Sequence, residues 1–233
     1  MMVESSHAVN PNVYAKPAYD PLKDFTPISN IANVPGVMVV GVDSPYKTAQ
    51  DVAEAARKAP GKLNYGSSGN GGYSHLSGAL FGNTTGTQIT HVPYKGLGPA
   101  LNDLMAGQID VVFDNMPSSG GLIAGGKLRA LAVSSPKRLA SLPDVPTYAE
   151  VGLKPMNQMS WYGIGAPADL DAAVLNQLSA ALKKTLQNPE LVKTIEQQSA
   201  IVDYQTPQQF RETVERSNKA WARLVKDIAF EKM

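Results

Sequence analysis

Short apolar runs alternate with amphipathic segments along the middle of the chain. The continuous runs Val111–Phe113 and Leu128–Val133 are typical of strands buried on both faces. Between such runs lie helical patterns, for example Tyr73–Asn83, in which apolar residues share one face. Strands that alternate with short helices predict parallel β-α-β units. We therefore predict an α/β lobe, lobe two, over residues 37–133.

The long apolar stretch Ile28–Val42 is interrupted by Pro35–Gly36. A strand broken in this way suits a segment that leaves one sheet and enters another. We interpret residues 1–36 as the remnant of a first lobe followed by a first crossover. Residues 134–233 begin with a proline-rich connection and continue as helical patterns, which predicts a second crossover and a helical return to lobe one.

Short stretches of sequence predict where individual helices and loops lie. Thr48, with Asp51 three residues later, predicts the capped start of a helix. The prolines within Asn10–Thr26 predict a loop. A later helical pattern is predicted to place four apolar residues in the core: Leu170, Val174, Leu178 and Leu182.

Composition narrows the classes of function. The chain is 43% hydrophobic and 18% charged with a net charge of +1, and it shows no basic footprint for nucleic acid. The absence of cysteine excludes thiol chemistry and disulfides. No apolar run reaches the roughly 18 residues of a membrane-spanning helix, so we expect no direct membrane insertion. No signal-peptide pattern is visible at the N-terminus.

Polar loops follow three of the predicted strands, and two of these loops contain glycine. The first is Ser67–Gly72, where glycine allows backbone N–H groups to approach a ligand and the following helix supplies a partial positive charge. The second includes Tyr94–Gly96 and the third Asp114–Asn115. Open α/β sheets bind ligands at such strand ends, and helix starts suit carboxylates or phosphates. The three loops together predict a binding cleft.

Structural alternatives stand beside each of these predictions. Ser67–Gly72 equally fits a tight turn that needs glycine. Lys95 fits either a contact with an anion or, more commonly for a single lysine in a loop, a solvated side chain. Asp114 either accepts hydrogen bonds from a ligand or ties down neighbouring loops. Catalytic patterns are lacking: the histidines have no metal-ligand spacing, and the serines lack a nucleophile elbow. His75, one turn into a helix, suits a structural hydrogen bond better than a base.

Several stretches, in this order and spacing, resemble the extracytoplasmic solute-binding receptors of tripartite tricarboxylate transport systems, the TctC or Bug family. The matching stretches are Ser6–Pro11, Tyr19–Phe25, Pro60–Tyr65, Ser68–Gly71, His91–Gly96, Phe113–Asn115, Gly126–Val133 and Leu142–Thr147. The resemblance covers nearly the whole chain.

The resemblance implies a periplasmic binding protein fold of type II, with two α/β lobes, a ligand cleft between them and crossovers near Ile28–Val37 and Ala132–Pro136. It implies capture of a small carboxylic acid, held largely by backbone amides and water, without cofactor, metal or catalysis. It also implies a periplasmic location and membrane transporter subunits as partners. The ligand-binding residues expected by position are Ser5, Ser6, His7, Ser67, Ser68, Gly69, Asn70, Gly71, Tyr94, Gly96, Asp114 and Asn115. Trp161 and Tyr162 are candidates either for closing the cleft or for core packing.

Family members carry further strand–loop–helix units before the point where this sequence starts. We therefore expect lobe one to lack part of its sheet and a principal ligand loop. Three other functions stay open at this stage: a ligand sensor on the same fold, an enzyme on this scaffold that uses Asp114 or His75, and a truncated remnant that binds nothing.

Overall fold

The computed structural model describes residues 1–233, which form two compact units. The first unit comprises Met1–Val34 and Ser160–Met233, and the second comprises Pro35–Met159. The chain thus enters the second unit after Val34, within the predicted first crossover. It returns after Met159, later than the predicted second crossover at Ala132–Pro136.

Strands and helices alternate along much of the chain. The strands are β1 (Met2–Glu4), β2 (Phe25–Val34), β3 (Gly36–Gly41), β4 (Asn64–Ser67), β5 (Thr90–Pro93), β6 (Val111–Asn115), β7 (Leu128–Ser134), β8 (Ser160–Pro167) and β9 (Ile201–Val202). The α-helices are α1 (Ser6–Val13), α2 (Ala49–Lys58), α3 (Tyr73–Thr85), α4 (Leu97–Met105), α5 (Met116–Ala124), α6 (Ala172–Thr185), α7 (Pro189–Gln197) and α8 (Pro207–Asp227). This content confirms the predicted α/β class.

The sheet of the second unit has the strand order β5-β4-β6-β3-β7. Strands β4, β5 and β6 run parallel, as predicted from the β-α-β pattern. Strand β3 lies antiparallel between β6 and β7, so β7 pairs with no parallel strand and has only an isolated parallel bridge between Val133 and Thr147. The prediction that β7 pairs in a parallel arrangement was wrong, because a strand buried on both faces has the same apolar pattern in either direction.

Helices cover both faces of this sheet. One core cluster contains Met38, Phe81 and Phe113, and a second contains Val39 and Leu104. The predicted start of α2 is confirmed: Thr48 and Asp51 form a reciprocal capping box.

Residues 134–159 fold back onto this unit instead of leaving it. Tyr148 donates its backbone N–H to the carbonyl of Val133 at 2.9 Å, and Val133 donates to the carbonyl of Pro146 at 3.0 Å. Tyr148 and Met156 are buried in the first core cluster of the unit. Burial of these two side chains explains why the chain returns to the first unit after residues 134–159 and not before them.

The first unit contains an antiparallel sheet with the order β1-β8-β2-β9. Phe210 of α8 and Trp161 of β8 pack edge to face, with ring centroids 5.2 Å apart. The loop predicted from Asn10 was wrong over its first residues, because α1 continues to Val13 despite Pro11. Burial of Ala8, Val9 and Val13 favours the helix over the local preference of proline.

Helix α6 differs from its predicted packing. Val174 and Leu178 are 42% and 41% exposed, whereas the helical spacing predicted that both lie in the core. Periodicity identifies an apolar face, but it does not decide whether another element covers that face.

Candidate functional site

Three parallel strands of the second unit end at the same edge of the sheet. The register pairs Ser67 at the end of β4 with Pro93 at the end of β5, and Gly66 with Val112 of β6. Each strand is followed by a short loop and a helix: α3 after β4, α4 after β5 and α5 after β6. The structure therefore brings the three predicted loops to one edge, the carboxyl edge of the parallel strands.

The helices that start at this edge lack side-chain caps. Gly72, Gly96 and Asn115 are the N-cap residues of α3, α4 and α5, and none of them makes a side-chain capping bond. Helices α2, α6, α7 and α8 are all capped by side chains, from Thr48, Asp171, Asn188 and Thr206. The first backbone N–H groups of a helix have no partner within it, so an uncapped start can bind an acceptor oxygen.

The loop Ser67–Gly72, which we call the glycine loop, is internally bonded. Ser67 is buried, and the backbone N–H of Gly69 donates to its hydroxyl at 3.2 Å. Ser68 donates its N–H to the Ser74 hydroxyl at 3.0 Å. Gly69 and Gly71 have φ angles of 134° and 71°, which L-residues with side chains rarely adopt. The tight turn is thus real, while Ser68 and Asn70 remain exposed.

The loop that contains Tyr94 is hydrogen-bonded to the glycine loop. Tyr94 donates its N–H to the carbonyl of Ser67 at 3.0 Å, and Gly96 donates to the carbonyl of Ser68 at 3.2 Å. The Tyr94 hydroxyl donates to Asp103 Oδ2 at 2.7 Å. Burial, followed by this contact with Asp103, raises the pKa of Tyr94 to about 12. Tyr94 therefore acts as a neutral donor within its own unit.

Asp114 and Asn115 end strand β6. Asp114 is buried and accepts hydrogen bonds from the Ser119 hydroxyl and from the N–H of Asn115, the latter at 2.6 Å. Burial raises the pKa of Asp114, and these hydrogen bonds oppose the increase. Of the two roles left open by the sequence, the observed bonds correspond to tying down the start of α5. Asn115 is partly exposed at the edge.

Ser5, Ser6 and His7 lie in the first unit, where Ser5 precedes α1 without a side-chain cap. The Ser5 hydroxyl is buried and accepts a bond from the N–H of Trp161 at 2.7 Å. The His7 ring stacks on Tyr19 at 4.9 Å and meets Phe25 edge to face at 4.6 Å. Burial lowers the pKa of His7. Ser6 is partly exposed and donates to the Glu4 carboxylate.

Trp161 and Tyr162 differ in their environments. Trp161 is buried against Phe210, and its indole N–H donates to the Ser217 hydroxyl at 3.0 Å, so it belongs to the core of the first unit. Tyr162 is only partly buried.

No helix is both long and apolar enough to cross a membrane, and no cluster of three or more acidic or histidine side chains could hold a metal ion.

A pair of histidines beside the glycine loop was not predicted as a unit. His75 of α3 and His91 of β5 stack with ring centroids 3.7 Å apart and planes inclined by 4°. The sequence separates them by a helix and a connection, so only the parallel pairing of β4 with β5 brings them together. The signal available in the sequence was that His75 follows the end of β4 and His91 lies near the end of β5, two strands predicted to be parallel.

Comparisons with known proteins identify relatives of the whole chain. The family described as "Tripartite tricarboxylate transporter family receptor" (TctC) matches residues 1–230. A protein encoded in the tcbD–tcbE intergenic region of Pseudomonas sp. strain P51 is 33% identical over 91% of this chain and 63% of its own length. A protein from the ttuE–ttuC' intergenic region of Agrobacterium vitis is 36% identical over 89% of this chain and 62% of its own. The chain spans less than two thirds of the length of these curated relatives.

Solved structures give the same result for the fold. A structure described as a periplasmic transporter is 40% identical, with a TM-score of 0.87 over 97% of this chain and 76% of its own. R. palustris Rpa4515 with adipate is 32% identical, with a TM-score of 0.87 over 100% and 78%. MatC from Rhodopseudomonas palustris with bound malate is 26% identical, with a TM-score of 0.83 over 96% and 78%. The predicted periplasmic binding protein fold is thus confirmed, and the chain belongs to the TctC family of tripartite tricarboxylate transporter receptors.

Proposed function

We propose that this protein is an extracytoplasmic receptor that binds a small carboxylic acid for a tripartite tricarboxylate-type transporter. The observation that carries the proposal is the pair of uncapped starts of α3 and α4 at one edge of the second unit. The start of α5 lies at the same edge, but there the N–H of Met116 already donates to the carbonyl of Pro35 at 2.9 Å. Backbone N–H groups and the positive helix end favour a carboxylate there. Adipate and malate in the related structures support this class of ligand.

Within the second unit, we propose that the exposed or partly exposed residues Ser68, Gly69, Asn70 and Asn115 contact the ligand. The remaining residues then shape the edge through hydrogen bonds within the unit, including the bond from the N–H of Gly71 to Nδ1 of His75 at 3.0 Å. These residues are Ser67, Gly71, Tyr94, Gly96 and Asp114. In the first unit, Ser6 at the start of α1 is the corresponding candidate. Ser5 and His7 support that helix start from within the core.

We propose that the protein does not transform its ligand. A serine nucleophile requires an accessible hydroxyl and a histidine oriented by an acid. The Ser67 hydroxyl lies 2.5 Å from Nε2 of His91, but Ser67 is buried and His91 stacks on a second imidazole. Incubation with malate or adipate, followed by NMR of the recovered acid, tests this statement. A new product would contradict it.

Thermal melting with malate and with adipate tests ligand binding directly. A ligand present at a hundredfold its dissociation constant stabilises the folded state by about 2.7 kcal/mol. For a chain of this size that corresponds to a shift of roughly 5–10 °C. The dimethyl esters of the same acids serve as controls, because they retain the carbon skeleton and lose the charge. Equal shifts with acid and ester would contradict carboxylate recognition.

Isosteric charge changes locate the site. We expect Asn70→Asp and Asn115→Asp to weaken binding by about tenfold or more, because each places a carboxylate where the ligand's carboxylate would lie. Gln108→Glu is the matched control. It makes the same change of charge, but it lies just before β6, at the opposite end of that strand from Asn115. If all three variants bind the acid equally well, the ligand does not lie at this edge.

The cellular role needs separate experiments. We propose that the mature protein acts outside the cytoplasm and is recognised by membrane transporter subunits, as the family description suggests. Fractionation of the natural host, with a cytoplasmic enzyme as marker, tests the location. Crosslinking in membranes that contain the transporter, with and without acid, tests the partner. Recovery in the cytoplasmic fraction would contradict the proposed location.

A further inference from the structure

The glycine loop is held by two histidines that belong to different elements. Nδ1 of His75 accepts the backbone N–H of Gly71 at 3.0 Å. Nε2 of His91 lies 2.5 Å from the hydroxyl of Ser67, which also bonds the N–H and the carbonyl of Gly69. The two rings therefore contact both ends of the loop, and their mutual stacking joins the two contacts.

We propose that His75 and His91 form a clamp that fixes the glycine loop in its ligand-accepting conformation, which makes both histidines positioning residues for the bound carboxylate. This inference deepens the proposed function and rests on it. The loop needs such support because Gly69 and Gly71 occupy positive φ angles, and glycine loses more conformational entropy than any other residue when it is ordered.

The geometry requires Nδ1 of His75 to carry no proton. A proton on Nδ1 of His75 would point at the N–H of Gly71 and abolish that hydrogen bond. Two stacked imidazolium rings would also repel each other. Burial lowers the pKa of His75, and burial together with His75 lowers the pKa of His91 to about 4, so both rings are neutral at pH 7.

Tyr65 sets the position of the pair from the sheet. Its ring lies 5.1 Å from the His91 ring, and its hydroxyl donates to the backbone carbonyl of His75 at 3.1 Å. Burial raises the pKa of Tyr65, so the hydroxyl remains a donor throughout the physiological range. Because Tyr65 is buried in β4, it fixes the start of α3 relative to the strand that precedes the loop.

Two variants at one position separate stacking from hydrogen bonding. His75→Phe keeps a flat ring for the stack and removes the acceptor for Gly71. His75→Asn removes the aromatic ring but places an amide oxygen near the position of Nδ1. Asn83→Ala, an exposed change further along α3, is the control for general effects on the helix. Circular dichroism and thermal melting establish that each variant is folded.

Hydrogen exchange of the loop amides, measured without ligand, tests the clamp itself. We expect His75→Phe to accelerate exchange of the Gly71 amide by about tenfold, the size of effect that loss of one hydrogen bond gives. His75→Asn should restore most of the protection, and Asn83→Ala should leave it unchanged. Unchanged exchange in a folded His75→Phe variant would overturn the clamp.

Titration with malate and with adipate tests the consequence for binding. We expect a dissociation constant about tenfold higher in His75→Phe than in the wild type, with partial recovery in His75→Asn. Loss of loop protection with unchanged affinity would overturn the positioning role. If the wild type binds neither acid, the proposed carboxylate site fails and the positioning role fails with it, whereas the exchange experiment still supports or overturns the clamp.

Discussion

Asn157 and Ser135 exchange two hydrogen bonds across the ends of a long connection. The N–H of Ser135 donates to Asn157 Oδ1 at 3.1 Å, and Asn157 Nδ2 donates to the carbonyl of Ser135 at 2.9 Å. Ser135 directly follows β7, and Asn157 follows a 3-10 helix at Lys154–Met156. A single amide side chain thus closes the segment after β7, which the sequence pattern predicts to lie outside the second unit.

We expect Asn157→Ala to lower the free energy of unfolding by about 1–3 kcal/mol, because it leaves the buried backbone groups of Ser135 without partners. Urea denaturation followed by circular dichroism measures the change. The adjacent exposed substitution Gln158→Ala is the control and should have little effect. Equal stabilities for the two variants would show that the segment is held by its apolar side chains alone.

Two glycines in helices should respond differently to substitution by alanine. A Cβ at Gly78 of α3 would overlap the ring of Tyr65, whereas one at Gly98 of α4 would meet nothing within 4 Å. We expect Gly78→Ala to destabilise the protein by about 1–3 kcal/mol through overpacking. We expect Gly98→Ala to be neutral or stabilising by up to about 1 kcal/mol, because alanine favours helix. Melting temperatures that move together would contradict this account.

The exposed apolar face of α6 predicts tolerance to polar substitution. We expect Leu178→Ser to lower the free energy of unfolding by only about 1 kcal/mol, because the residue is 41% exposed and loses only part of the burial of a core leucine. The comparison is Leu76→Ala in α3, a fully buried leucine, for which we expect a loss of about 2–5 kcal/mol. Chemical denaturation of both variants measures the difference. A large loss in Leu178→Ser would mean that this face is covered in solution.

The histidine pair predicts how stability depends on pH. The pKa of His91 falls from its ordinary value of 6.5 to about 4 on folding, chiefly because of burial. Between pH 6.5 and pH 4 the unfolded chain therefore binds more protons than the folded protein. This contribution to stability is complete above pH 6.5, declines as the pH falls and levels off below pH 4.

Melting temperatures of the wild type and of His91→Gln across this range check the prediction. Glutamine does not titrate, so we expect the variant to lose less stability than the wild type between pH 6.5 and pH 4. The difference between the two slopes removes the contribution of carboxylates, which both proteins share. Parallel slopes would show that His91 has the same pKa in the folded and unfolded chains.

Local sequence determined the individual elements of the second unit. The capping box of Thr48 and Asp51 and the apolar runs of β6 and β7 depend on residues close together in the chain. They were therefore predictable from propensity and periodicity. The order of motifs along the chain also indicated the family, because that resemblance depends only on sequence.

Only the tertiary structure decided what is paired and what is covered. The antiparallel insertion of β3 between β6 and β7, the exposed face of α6 and the stack of His75 on His91 all depend on distant segments. The role of Asp114 was also not decided by the sequence, because an aspartate at this position fits a ligand contact or a structural hydrogen bond equally well. Asp114 is buried and bonded to Ser119 because of how the folded chain packs around it. The free energy of burying a carboxylate depends on its surroundings in space, whereas a sequence pattern specifies only its neighbours along the chain.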